Sequence, residues 1–129
     1  FNPSATEPTH LYQIWLRPAE KGIAPSYEQQ AFPDEELKNQ LRLVASPDAK
    51  EDCLTIHQDA NIFIAKLSQG ESVSHELSEE KHAWLQVLRG SVKLNDIQLD
   101  TSDGAAVSEE TSMNIVATEN AEVMLFDLA

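Results

Sequence analysis

Two of the chain's four histidines, His75 and His82, stand between Gly70 and Gly90. Imidazoles on neighbouring strands, joined by carboxylates, are the donors that hold iron, manganese, copper, nickel or zinc. Residues two apart on a strand share a face, so geometry decides whether such donors converge. His82, Trp84 and Gln86 fall on one side of their run, and Ala83, Leu85 and Val87 fall on the other. His10 and His57 have no companion at ligand spacing. Other chemistries have less support, because the chain holds no Gly-rich phosphate loop, no Gly-x-Ser-x-Gly elbow and no Cys-x-x-Cys pair. Among 22 acidic residues nothing singles out a glycosidase-like carboxylate pair.

The elements that must position these groups read as strands. Apolar runs recur about every ten residues with turn residues between them, the pattern of a sandwich or barrel. They are Leu11 to Leu16, Leu41 to Ala45, Leu54 to His57, Ile62 to Leu67, Ser72 to Leu77, His82 to Leu88, Ser91 to Leu94, Ile97 to Leu99, Ala105 to Val107, Met113 to Ala117 and Val123 to Leu128. Asn95-Asp96 forms a tight hairpin turn and Asp103-Gly104 the next one. Pro33 to Gln40 alone looks helical, with Pro and acids in its first turn. Two prolines and a glycine between Arg17 and Ser26 read as a linker. The aromatic-rich run before that linker cannot bury itself and must pair with this domain or another.

A chain of 129 residues supports one core of ordinary size. Its formal charge of −13 repels phosphate backbones and anionic lipid, so neither nucleic acid nor a membrane surface is expected as a partner. The acidic clusters Asp34-Glu35-Glu36, Glu79-Glu80 and Glu109-Glu110 read as solvated loops that keep strand edges soluble. The lone Cys53 cannot close an internal disulfide, which fits a reducing compartment, the cytoplasm by default. There is no apolar span or signal-peptide pattern. Because the sequence starts at Phe1 without Met, it reads as a fragment or a processed product.

The segment Gly70 to Val107 resembles the first motif of the cupins, a Gly, then His-x-His, then Glu, then Gly, followed by a hairpin and a second motif. Its flanks resemble the C-terminal half of bacterial pirin-like proteins: Phe1-Asn2-Pro3-Ser4, His10 to Leu16, Tyr27-Glu28-Gln29, His57-Gln58-Asp59 and Val123 to Leu128. The resemblance covers nearly the whole chain. It implies an all-β, cupin-like double-stranded β-helix or jelly-roll barrel with one short helix. It further implies a parent with two barrels, the N-terminal one holding a metal through three His and a Glu. Some members act as quercetin dioxygenases, and eukaryotic pirins are described as nuclear cofactors. On this pattern residues 1–18 are closing strands of a missing N-terminal cupin domain, 19–32 a linker and lead-in strand, and 33–129 the C-terminal barrel.

Matched residue by residue, the motif keeps one ligand. His75 takes the place of the first His, Leu77 stands where the second belongs, Ala83 stands where the Glu belongs, and Val107 to Ile115 holds no His. A single ligand cannot hold a metal against water, so no metal, cofactor or catalytic residue is expected in this chain, and the transition metal is expected in the missing half. His75, Leu77 and Ala83 mark a vestigial pocket in the barrel, with His75 expected to hydrogen-bond to backbone. If Ala83 points inward, Trp84 and Gln86 point outward, and with Trp15 they mark an interface to the N-terminal domain or to a second copy in a homodimer. The role expected is structural support and assembly for the metal-bearing half. The alternatives are a part in a quercetin 2,3-dioxygenase, or a module that binds a small molecule or protein through the barrel interior.

Overall fold

A computed structural model describes residues 2–50 and 52–129, so Phe1 of the expected N-terminal segment lies outside the described residues. The elements run α1 (Asp34–Leu37), β1 (Arg42–Ser46), β2 (Leu54–Thr55), β3 (Ala60–Leu67), β4 (Ser72–Glu76), β5 (His82–Arg89), β6 (Val92–Leu94), β7 (Ile97–Leu99), β8 (Gly104–Val107), β9 (Ser112–Ala117) and β10 (Ala121–Leu128). They form a six-stranded sheet in the order β2-β1-β3-β10-β5-β8 and a four-stranded sheet in the order β4-β9-β6-β7. The fold is all-β and cupin-like, as the strand runs and motif spacing led us to expect.

Alternation builds the core. On β5 the side chains of Ala83, Leu85 and Val87 are buried between the sheets while His82 and Trp84 face out. Leu85, Val87, Val92, Met113, Ile115, Val123 and Leu125 are fully buried. The space between the sheets is therefore packed with apolar side chains drawn from both of them. Near the end of β5 the register with β10 slips, so that Val123 faces Val87 while Glu122 faces Arg89. Leu88 is the extra residue of this bulge, which leaves Leu88 buried and returns Arg89 to solvent.

The hairpin at Asn95-Asp96 forms with Leu94 opposite Ile97 and Asn95 at φ 47°. The Asn95 side chain also accepts the amide of Asn114 at 2.9 Å, tying the turn to β9. The helix at Pro33 to Gln40 closes after one turn, Asp34–Leu37, because Asn39 takes φ 54° and its amide donates to the carbonyl of Lys66.

Leu11 to Leu16, expected as a strand, has no ladder partner within the described chain. The segment lies across the outward face of the six-stranded sheet, against Trp84, Leu88 and Phe126, and backbone crossing a face cannot reach the edge groups that ladders need. It is tied at both ends. The Tyr12 hydroxyl donates to the Leu88 carbonyl at 3.5 Å, and Gln58 Nε2 donates to the Arg17 carbonyl at 2.8 Å.

Candidate functional site

At the mouth of the barrel His75 projects inward from β4 and meets Asp127 of β10, in the opposite sheet. His75 Nε2 lies 3.0 Å from Asp127 Oδ2, and each side chain is 14% exposed. The Phe63 ring leans on the imidazole with centroids 5.1 Å apart. The expectation of a backbone partner for His75 is corrected: its partner is a carboxylate. Asp127 was invisible to motif reasoning because it stands 52 residues away and belongs to no ligand pattern. Only closure of the two sheets brings the pair together.

The other positions of the motif are apolar in space as in sequence. Leu77 and Ala83 are buried in the core beside the dyad, and Asn61 and Ala83 flank Asp127 across the sheet. The second carboxylate oxygen, Asp127 Oδ1, is buried without a hydrogen-bond partner. Among the described residues no group of three or more His, Cys, Asp or Glu is placed to hold a metal ion. With one imidazole nitrogen committed to Asp127 and apolar side chains at the remaining places, these residues do not fit a cupin metal. His82 is on the opposite face, its Nδ1 2.8 Å from Ser108 Oγ, so it does not converge with His75. His10 meets Tyr12 in a tilted contact at 4.9 Å between centroids, and the backbone carbonyl of His57 accepts the amide of Ala19.

The outer face of the six-stranded sheet holds a second arrangement, centred on Trp84 and Gln86. Gly104 lies on the neighbouring strand, where a Cβ would come within 2.2 Å of Trp84 Cζ2. The indole's six-membered ring therefore takes the space a Cβ on Gly104 would occupy. Its Nε1 donates to Gln86 Oε1 at 3.3 Å, and Gln86 Nε2 donates to the carbonyls of Ser102 and Asp103 at 3.1 and 3.0 Å. Between this platform and the Tyr12 to Leu16 segment runs an apolar groove of about 400 Å³, floored by Leu88, Met124 and Phe126. Trp84 is 40% exposed and Trp15, on the outer lip, 87%.

Gly104→Ala should lift the indole off the sheet. In a Trp15→Phe background we expect Trp84 emission to move to longer wavelength and its quenching by acrylamide to rise, with the unfolding midpoint little changed because Gly104 is exposed. An unaltered spectrum would mean that the β8 strand yields in place of the ring.

Two sheets closed around an apolar interior, carrying the glycines and one inward histidine of the cupin motif, define a cupin-like barrel. The model of the quercetinase C-terminal cupin domain matches residues 43–128, and the chain belongs to that family. It is 43% identical over 128 residues to a quercetin 2,3-dioxygenase of Escherichia coli K12, covering 99% of this chain and 54% of that protein. It is 33% identical to a pirin-like protein of Caulobacter vibrioides, covering 95% and 53%. The crystal structure of YhhW from Escherichia coli superposes with a TM-score of 0.82 at 38% identity, over 87% of this chain and 47% of that one. A structure of the same bacterial pirin in complex with nickel(II) gives a TM-score of 0.79 at 39% identity, over 86% and 47%. The chain thus spans about half the length of the curated relatives it matches.

Proposed function

We propose that this chain is the metal-free barrel of a two-barrel protein of the quercetinase and pirin kind, and that it steadies and assembles with a metal-bearing barrel without itself doing the chemistry. The observation that carries this reading is the outer face of the six-stranded sheet. There an ordered Trp84 and an apolar groove meet water, although burying aromatic area stabilises at roughly 25 cal/mol per Å². A protein surface packed there, from the other barrel or from a second copy, recovers that energy. The length of the relatives supports the first of these occupants, and the nickel complex of YhhW supports a metal elsewhere in the whole protein. The packed interior speaks against a module that binds small molecules inside the barrel. For the whole protein we propose quercetin 2,3-dioxygenase activity, in line with the name of the Escherichia coli K12 relative, and a cytoplasmic location in line with the unpaired Cys53.

The experiment compares oxygen uptake with quercetin by this chain alone and by the same sequence joined to its upstream half, each loaded in turn with iron, copper, nickel and manganese. The chain alone should neither retain stoichiometric metal by elemental analysis nor turn over, and the joined protein should do both. Turnover by the chain alone, lost in His75→Ala, would move catalysis into this barrel. Inactivity of both would end the dioxygenase reading.

A further inference from the structure

Apart from the groove, the six-stranded sheet carries a line of charge at its other end. Register places Lys66 of β3 and Arg89 of β5 on either side of Glu122 of β10, all on the outward face. A single parallel bridge sets Lys38, just beyond α1, beside Lys66. Three of the chain's nine Lys and Arg residues therefore border one cleft of about 370 Å³, where they outnumber its two carboxylates, Asp34 and Glu122, in a molecule of charge −13. Such a concentration runs against the field of the rest of the surface.

The cleft is built on fixed backbone. Its floor is Leu67 and Ala121, both buried. The loop beyond Leu67 is pinned from two sides, since Asn39 Oδ1 accepts the amide of Ser68 at 2.8 Å and Asn120 Oδ1 accepts that of Gln69 at 2.9 Å. The cations are incompletely neutralised. Lys66 pairs with Asp34 at 2.6 Å, but that carboxylate is 81% exposed and easily displaced. Arg89 approaches Glu122 only to 3.9 Å, too far for the two-pronged bond a guanidinium makes with a fitted carboxylate. Among the described residues no carboxylate lies within ion-pairing distance of Lys38.

We propose that this cleft binds a small dianion, a phosphate or dicarboxylate group, with Arg89 supplying the two-pronged contact and Lys38 and Lys66 closing on it. Strands are spaced about 4.8 Å apart, so Lys66 and Arg89 stand roughly 10 Å from each other across Glu122 with Lys38 one step beyond Lys66, and it is the long ends of these side chains, reaching over Glu122, that meet on one anion. The inference does not rest on the assembly or activity proposed above.

The test titrates the chain with inorganic phosphate and, separately, with succinate, at ionic strength held constant with sodium chloride, and follows the amide resonances of Leu67, Ser68 and Ala121. We expect saturable shifts at those amides. Arg89→Ala and Lys38→Ala, both at exposed positions, should each weaken binding about tenfold, the worth of one charge-assisted contact, while Lys93→Ala on the other sheet leaves it unchanged. Stronger binding of one probe assigns the ligand to that chemistry. Shifts equal to those from chloride, a titration indifferent to both cleft variants, or equal weakening by Lys93→Ala would each overturn the proposal.

Discussion

Gly90→Ala is expected to destabilise the chain by about 2–5 kcal/mol, a large share of the roughly 5–15 kcal/mol by which such a domain is stable. Two costs add. Gly90 has φ +70°, where a side chain costs on the order of 1–2 kcal/mol. Its Cβ would also lie 2.1 Å from the carbonyl oxygen of Asn120 and 2.9 Å from the Cα of Ala121. Those are backbone atoms at the start of β10, and moving them disturbs the strand that pairs on both sides, a strain of about 1–3 kcal/mol. Gly70→Ala is the control. It has φ +86° with nothing within 4 Å of an added methyl, so it should cost only about 1–2 kcal/mol for the backbone. Urea unfolding of the two variants measures the difference directly, and equal losses would show that the Asn120 turn can move aside.

His75→Ala is expected to cost about 2–4 kcal/mol by stranding Asp127 in a place that is mostly closed to water. Asp127 Oδ1 already lacks a partner, and the variant would orphan Oδ2 as well. Asp127→Ala should cost less, because an imidazole is cheaper to leave unpaired than a carboxylate. The double variant His75→Leu with Asp127→Leu should recover much of the loss, since apolar replacement of a buried pair is often neutral or stabilising. Thermal unfolding of His75→Ala, Asp127→Ala and the double variant His75→Ala with Asp127→Ala forms a cycle. Strict additivity, with each single under about 0.5 kcal/mol, would mean that the contact contributes nothing to stability.

Much of the architecture was legible because strands announce themselves by period and turn chemistry. The alternation from His82 to Val87 gave the faces of β5 correctly, and Asn95-Asp96 gave the hairpin. What stayed hidden depends on contacts distant in sequence. The pairing of His75 with Asp127 needs two sheets to close over one another, and the lodging of Trp84 on Gly104 needs the β5 and β8 register. The bulge at Leu88 leaves no local mark, so the cationic line that ends in Arg89 could not be foreseen. Leu11 to Leu16 pairs with no strand of the described chain. Its composition is that of a strand, but the face it covers offers apolar contact and no ladder.

The place of β10 in the six-stranded sheet bears on how the molecule is made. This last strand of the barrel pairs with β3 along eight residues and with β5 on its other side. Until Ala121–Leu128 has left the ribosome, β3 and β5 have no common neighbour and the larger sheet stands open at its middle. At roughly 5–20 residues per second, the apolar inner faces of both strands wait seconds for cover during synthesis. Closure of this barrel therefore trails the synthesis of every other strand in it.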